Sequence, residues 1–528
     1  MSQAVVNRVE TVRWAKVIDH ESCIGCHACS TACKSENEVP LSVNRTYVKY
    51  VDVGVFPQAR RAFQVTRCNQ CADAPCTHAC PTRAMYTRPD GIVDFDKDIC
   101  IGCKACIAAC PYDAIFINPE DHSAEKCNFC AHRIDMNLEP ACVVVCPTEA
   151  IMVGDLNDPN SRVAQMVNRE PVTVRRPEKG TQPKLFYLGA HQATLDPLAA
   201  RRPEGGLFMW SEQTEGAHNV VSGYPMEAAE EGGNGNGHGG ANSSAAALLS
   251  YDVPHKAPWD WRVSLYTLTK GVAAGAYLVP LLMILFGVLD AASPIWRWAA
   301  PIVAGAFLGL TGLVLIADLE HPKRFYMIFT KAHWRSWLVK GAFIIGAYSA
   351  ILGLHFLVTI LDLPGRALLA GLGLPLAAMT AIYTAYLFAQ AKARDLWQSP
   401  LLPPHLLVQA ILAGSAALVP VAYFIDSDAT RPLLIVVALS ALVHLLMVLG
   451  EVTLTHTTAH AHLATWEMVK GRYKAFFWTG IVLTTVPVLS LLVPLAPIAG
   501  LVIAPIALLG LLAFEHAYVQ AGQAVPLA

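Results

Sequence analysis

Charge is scarce in this chain. Asp, Glu, Lys and Arg make up 15% of its 528 residues, against about 25% in an ordinary soluble domain. Cysteine is missing from everything after Cys146, although sixteen lie between Cys23 and that residue. There is no basic excess, since 39 Lys and Arg stand against 41 Asp and Glu, and this excludes the usual nucleic-acid binder. Residues Met1 to Glu21 hold no apolar stretch of the length a secretory signal needs, and the arginine pairs at 60–61, 175–176 and 201–202 are all internal. No export signal is therefore expected, and without an oxidising compartment the cysteines read as metal ligands rather than disulfides.

What is present divides into two parts. The first 250 residues hold every cysteine and 23 of the 39 basic residues, and long apolar runs fill the rest. We expect a cysteine-rich domain with a polar C-terminal extension over 1–231. A Gly/Asn/Ser-rich linker over 232–254 follows, because it cannot bury a core, and then a membrane domain over 255–528. Eight apolar spans of near bilayer length are read at 264–289, 298–317, 337–361, 367–389, 405–425, 432–454, 475–495 and 498–514. An even number puts both ends on one side. Loops on that side carry eleven Lys and Arg, from Lys256 to Lys474, and the opposite loops carry Arg297, Arg366 and Arg431. Basic short loops stay inside, so the chain is expected in the inner (cytoplasmic) membrane with its cysteine half and both termini facing the cytoplasm.

The sixteen cysteines fall into four groups of four. Cys23-x2-Cys26-x2-Cys29-x3-Cys33 and Cys100-x2-Cys103-x2-Cys106-x3-Cys110-Pro111 match the bacterial ferredoxin run. Cys68-x2-Cys71-x4-Cys76-x3-Cys80-Pro81 and Cys127-x2-Cys130-x11-Cys142-x3-Cys146-Pro147 are the same run with insertions. In such runs three thiolates hold one cubane and the fourth reaches another, so four [4Fe–4S] clusters use every cysteine. Structural zinc is the alternative for paired C-x2-C groups, but the repeated x3-Cys-Pro ending favours iron and sulfur. Cys23-Ile24-Gly25-Cys26-His27 also fits a haem c attachment pattern, which Cys29 and Cys33 override by completing the ferredoxin register. His27 and His78 read as ordinary neighbours of a cluster.

With "CNQCADAPCTHACPTRAMY", "ICIGCKACIAACPYDAI" and "KCNFCAHRI…PACVVVCPTEAI", residues 14–155 resemble the four-cluster iron–sulfur subunit of complex iron–sulfur molybdoenzymes. The resemblance implies an α+β ferredoxin-like fold of two tandem pseudo-symmetric di-cluster units. It also implies a nested ligand pairing. Cys23, Cys26 and Cys29 share a cluster with Cys146, and Cys127, Cys130 and Cys142 share one with Cys33. Cys68, Cys71 and Cys76 take Cys110, and Cys100, Cys103 and Cys106 take Cys80. Lys34 departs from the pattern, standing where the other three groups have Pro.

In the membrane half, buried charge marks candidate function. Lys270, Asp318, Tyr383 and Tyr386 fall near the cytoplasmic level, where they suit a quinone head group; interface anchoring is the alternative. His444 and Glu451 lie two turns apart on one helix face and read as the start of a proton path or as internal hydrogen-bonding partners. His355 and His444 sit at unequal depths for one haem, so no haem is expected, and His456, His460 and His462 read as loop or interface residues. "LIADLEHPKRF" and "AYVQAGQAVPLA" resemble the NrfD/polysulfide reductase membrane anchor, an all-α polytopic domain of eight helices. That resemblance implies a haem-free quinone site on Tyr266, Lys270, Asp318 and Tyr383.

Together these readings describe an electron conduit. A separate catalytic subunit with a Mo/W-bis-pterin would exchange electrons through four clusters with membrane menaquinone or ubiquinone, in one or more copies of the heterocomplex. The cytoplasmic placement fits sulfite oxidation (a sulfite:quinone oxidoreductase, or sulfite dehydrogenase). Its alternatives are a cytoplasm-facing formate dehydrogenase, another sulfur-compound oxidoreductase, or the module of a redox-driven proton-pumping quinol oxidoreductase.

Overall fold

The computed structural model describes residues 12–201, 246–491 and 496–528. The N-terminal half is built from short elements between cysteine loops. Strand β1 (Trp14–Asp19) is the centre of a three-stranded sheet, antiparallel to β8 (Ile151–Asp155) and parallel to β9 (Leu185–Leu188). A second sheet pairs β2 (Thr46–Val53) with β3 (Arg60–Arg67). Two hairpins, β4–β5 (Met85–Thr87, Val93–Phe95) and β6–β7 (Ile115–Ile117, Ala124–Lys126), follow the second and third cysteine groups.

The cysteine loops share one backbone device. The residue before the second cysteine of each group has a left-handed φ: Gly25 (68°), Gln70 (47°), Gly102 (69°) and Phe129 (68°). Short helices then carry further cysteines: α1 (Ala28–Glu36) holds Cys29 and Cys33, α2 (Pro75–Ala79) holds Cys76, α3 (Ala105–Ala109) holds Cys106 and α4 (Ala141–Val144) holds Cys142. At Gly102 a side chain is excluded twice over. The φ is one that glycine adopts freely, and a Cβ would stand 2.4 Å from Glu320 Cβ of the membrane half.

Part of the segment read as a linker, 232–254, is a strand. Residues 232–245 lie outside the described residues, but Ala247–Tyr251 form strand β10, which pairs antiparallel with β2. Its alternation puts Ala247 and Leu249 into the core, which a segment chosen by its Gly/Asn/Ser content conceals.

The C-terminal half is a helical bundle, and the chain is a multi-pass membrane protein. Among the described residues, seven helices are long and apolar enough to cross a membrane. They are α5 (Trp261–Leu285), α6 (Ala300–Ala317, entered through a π-turn at Ile295–Ala299), α7 (Trp337–Ile360), α8 (Arg366–Ala389), α9 (Leu402–Ile425), α10 (Ser427–Thr453) and, after the shorter helices α11 (Ala459–Val469) and α12 (Lys474–Leu489), α13 (Gly500–Ala524). The segment read as a seventh span, 475–495, contains α12, whose 16 residues rise about 24 Å; residues 492–495 lie outside the described residues. The segment read as ending at 514 continues to Ala524, because Glu515, Gln520 and Gln523 are buried in protein rather than exposed to lipid. The bundle's tightest crossing is α5 on α9: a Cβ on Gly275 would lie 1.7 Å from Ala410 O, the close backbone approach that small residues permit in membranes.

Candidate functional site

The four cysteine groups regroup in space. Cys68, Cys71, Cys76 and Cys110 line one cavity, and Cys80, Cys100, Cys103 and Cys106 line another. Cys33 neighbours Cys127, Cys130 and Cys142, and Asn37 Nδ2 donates to the sulfurs of both Cys33 and Cys130, at 3.7 Å each. Cys23 neighbours Cys26 and Cys146, and it packs with Cys29 in the same core. All sixteen are free thiols, without a disulfide. Among the described residues no group of three His, Cys, Asp or Glu side chains is drawn together as round a single metal ion. Backbone N–H groups of Gln70, Met85 and Ala124 donate to Cys68, Cys80 and Cys100 at 3.4–3.5 Å. Residues, donors and spacing all fit iron–sulfur clusters.

Their electrostatics differ. Burial pushes the Cys33 thiol up to about 12, and its cysteine neighbours add to this. Burial also raises Cys142, but the cations Arg67 and Lys16 outweigh it and bring that thiol down to about 7. Lys16 Nζ lies 3.8 Å and Arg67 Nη1 2.9 Å from Cys142 Sγ. His27 instead rests on the rings of Tyr50 and Tyr251, and His78 lies between Asp73 and Arg335.

The loop 318–336 clamps the membrane half onto the Cys80 and Cys100–Cys103 loops. Glu320 N and His321 N donate to Gly102 O and Ile101 O, and Arg324 Nη1 donates to Lys97 O at 2.8 Å and Cys100 O at 3.0 Å. Lys104 pairs with Glu320 at 2.9 Å. Ser336 Oγ donates to Ala79 O, and His333 N to Pro81 O. Most of "DLEHPKRF" is therefore a docking strap, a role its hydropathy does not reveal.

Beneath the strap is an apolar cavity of about 210 Å³. Cys103 is among its lining residues, Tyr266, Asp318 and Tyr383 supply its polar side chains, and Trp259, Phe325, Phe329 and Phe388 are among its walls. The Tyr266 hydroxyl and Asp318 Oδ1 are buried without a hydrogen-bond partner among the described residues, as expected where a ligand's oxygens belong. The Lys104 ammonium stands 3.7 Å from Asp318 Oδ1, near enough to balance its charge without bonding it. Lys270 is not on the cavity wall. It lies behind Tyr383, 5.0 Å from the ring centroid, and donates to Thr384 Oγ1 at 2.6 Å and Ala381 O at 2.9 Å. Tyr386 stacks on Trp337 instead.

Several polar groups escaped the sequence reading. Trp259 Nε1 donates to Cys103 O at 3.4 Å, and the ring stacks on Trp397. Thr267 Oγ1 donates to buried Glu515 at 2.8 Å. A small cavity lined by Thr267, Glu515, Gln409 and His405 leads to His444, which shares a 2.8 Å hydrogen bond with His405. Glu451 accepts from Ser399 at 3.3 Å, and among the described residues no hydrogen bond joins it to His444. His355 bonds Tyr277, far along the chain from that pair, His460 bonds Arg176, and His456 bonds Thr465.

Known proteins divide the chain in the same way. Residues 59–156 match the 4Fe-4S dicluster domain family, and residues 252–526 match the family described as polysulphide reductase, NrfD. The N-terminal part is similar to a subunit of the tetrathionate reductase of Salmonella typhimurium, 42% identical over 208 residues covering 38% of this chain and 80% of the relative. It is also similar to a component of the polysulfide reductase of Wolinella succinogenes, 42% identical over 179 residues covering 33% and 94%. A third relative is the arsenate respiratory reductase iron-sulfur subunit of a Shewanella species, 35% identical over 225 residues covering 34% and 96%. The second family match spans more than half of the chain, so the protein belongs to the NrfD/polysulfide reductase membrane family, with an iron–sulfur electron-transfer subunit fused ahead of it.

Proposed function

We propose that this chain is the conduit between a Mo/W-pterin catalytic subunit and the membrane quinone pool. One observation carries the reading: the cavity that holds the orphaned Tyr266 and Asp318 oxygens is also lined by Cys103. Four [4Fe–4S] clusters, on the ligand sets Cys23/26/29/146, Cys33/127/130/142, Cys68/71/76/110 and Cys80/100/103/106, would supply one-electron transfer across a soluble half built as two pseudo-symmetric di-cluster units. Tyr266 and Asp318 hold the quinone oxygens, Asp318 exchanges a proton with them, and the aromatic walls exclude water. Lys270 fixes Tyr383 from behind through Thr384 and the ring contact. The loop-charge asymmetry supports eight passes, α12 included, with the cysteine half and both termini in the cytoplasm. Sulfite oxidation on the partner follows from that placement alone, since the named relatives are reductases.

The test is Asp318→Asn in native membranes. Dithionite should still reduce the clusters, but their reoxidation by added quinone should slow at least tenfold. Unchanged reoxidation would overturn the quinone site. The buried Thr267–Glu515 pair and the His405–His444 pair favour a second reading, a proton route extending from the quinone site. It requires Glu515→Gln to lower proton uptake per electron while cluster reduction persists.

A further inference from the structure

The four cysteine sets differ in the cations that face them. Lys126 directs its buried ammonium to the carbonyls of Val93 and Cys127. Arg324 bonds the carbonyls of Lys97 and Cys100, and Lys104 pairs with Glu320. Arg67 and Lys16 instead converge on a cysteine sulfur, that of Cys142. Both side chains are only 2% exposed. Arg67 ends strand β3 next to Cys68, but successive strand residues point to opposite faces. Its guanidinium therefore leaves the Cys68 set and enters the space between Cys29, Cys127 and Cys142. Two of its nitrogens, Nε and Nη2, are buried there with no acceptor among the described residues. A buried guanidinium with unmet donors is costly, so acceptors must come from something the cysteines hold. The sulfide and thiolate sulfurs of a cluster are such acceptors.

We propose that Arg67, aided by Lys16, donates to the cluster held by Cys33, Cys127, Cys130 and Cys142 and holds its reduction potential up. The proposal rests on the four-cluster reading above. Reduction adds one negative charge to a cluster, and a fixed positive charge in a low-dielectric site stabilises that charge. Hydrogen bonds to the sulfurs act in the same direction. Arginine keeps its charge at all working pH values, so the bias is permanent rather than switched. Arg67 also borders Cys29, so a weaker effect extends to the neighbouring cluster of Cys23, Cys26, Cys29 and Cys146.

EPR-monitored redox titration of the full chain in native membranes tests this with R67Q, R67K and K16Q. In R67Q one cluster signal should move to lower potential. Its reduced-to-oxidised ratio at fixed ambient potential should fall about tenfold or more, which is about 59 mV for one electron. R67K should recover most of the shift because the charge remains. K16Q should move the same signal the same way by less, because Lys16 is farther from the sulfur. Wild-type midpoints for every signal in R67Q would overturn the proposal. If R67Q fails to assemble its iron, K16Q decides, and an unmoved midpoint there overturns it equally. Wild-type protein with far fewer than about sixteen irons per chain would overturn the four-cluster reading itself, and the iron count tells the two failures apart.

Discussion

His255 lies between the end of β10 and the first membrane helix, and it ties that segment to the third cysteine group. Its Nδ1 is 2.5 Å from Asp113, three residues after Cys110, and its Nε2 is 3.2 Å from Asp252. Burial lowers the imidazole pKa, but the two carboxylates outweigh it and raise it from 6.5 to about 9. A folded pKa above the unfolded one means that the stabilisation is complete below pH 6.5. It declines between pH 6.5 and 9 and is absent above that. At 1.36 kcal/mol per unit the clasp is worth about 3 kcal/mol. His255→Gln should therefore lower the thermal midpoint of the purified protein markedly at pH 6, and the gap from wild type should close by pH 10. The assay is cluster bleaching on heating in detergent across that range. A gap of equal size at pH 6 and pH 10 would refute the ion-pair account and reduce His255 to a packing residue.

Two further outcomes follow from close contacts. Gly275→Ala should destabilise the bundle by about 3 kcal/mol or more, because a carbon 1.7 Å from Ala410 O forces α5 and α9 apart. Gly305→Ala on α6, where a Cβ meets nothing within 4 Å, should be neutral or stabilising by up to about 1 kcal/mol; thermal unfolding of the pair in detergent checks both. Arg324→Ala removes the charged Nη1 that bonds two carbonyls across the strap, a loss of about 3 kcal/mol. It should slow quinone-dependent reoxidation of the clusters while leaving their chemical reduction intact, which stopped-flow absorbance can separate.

The sequence was informative wherever the chemistry is local along the chain. Cysteine spacing separated four groups because a cubane takes its first three ligands from one short loop, and long apolar runs marked most of the membrane helices. It was opaque where partners are distant. Arg67 meets Cys142 across 75 residues, Trp259 meets Cys103 across 156, and Thr267 meets Glu515 across 248, and no periodicity signals such pairs. Hydropathy also misplaced ends. It treated His405 as a helix boundary although α9 begins at Leu402, and it stopped the last span at 514, just short of Glu515. A polar residue facing protein reads in a window like one facing water, and only the packing tells them apart.

The strand β10 sets an order of events during synthesis. Chains are made from the N-terminus, and domains fold as they emerge. All sixteen cysteines have been translated well before Ala247–Tyr251 closes the sheet against β2, and α5 starts ten residues after β10 ends. The soluble half thus receives its last strand only as the first membrane helix is delivered to the bilayer. The two halves therefore meet on one nascent chain, with no search between separate subunits. A ribosome stalled before residue 247 would leave β2 as an open sheet edge.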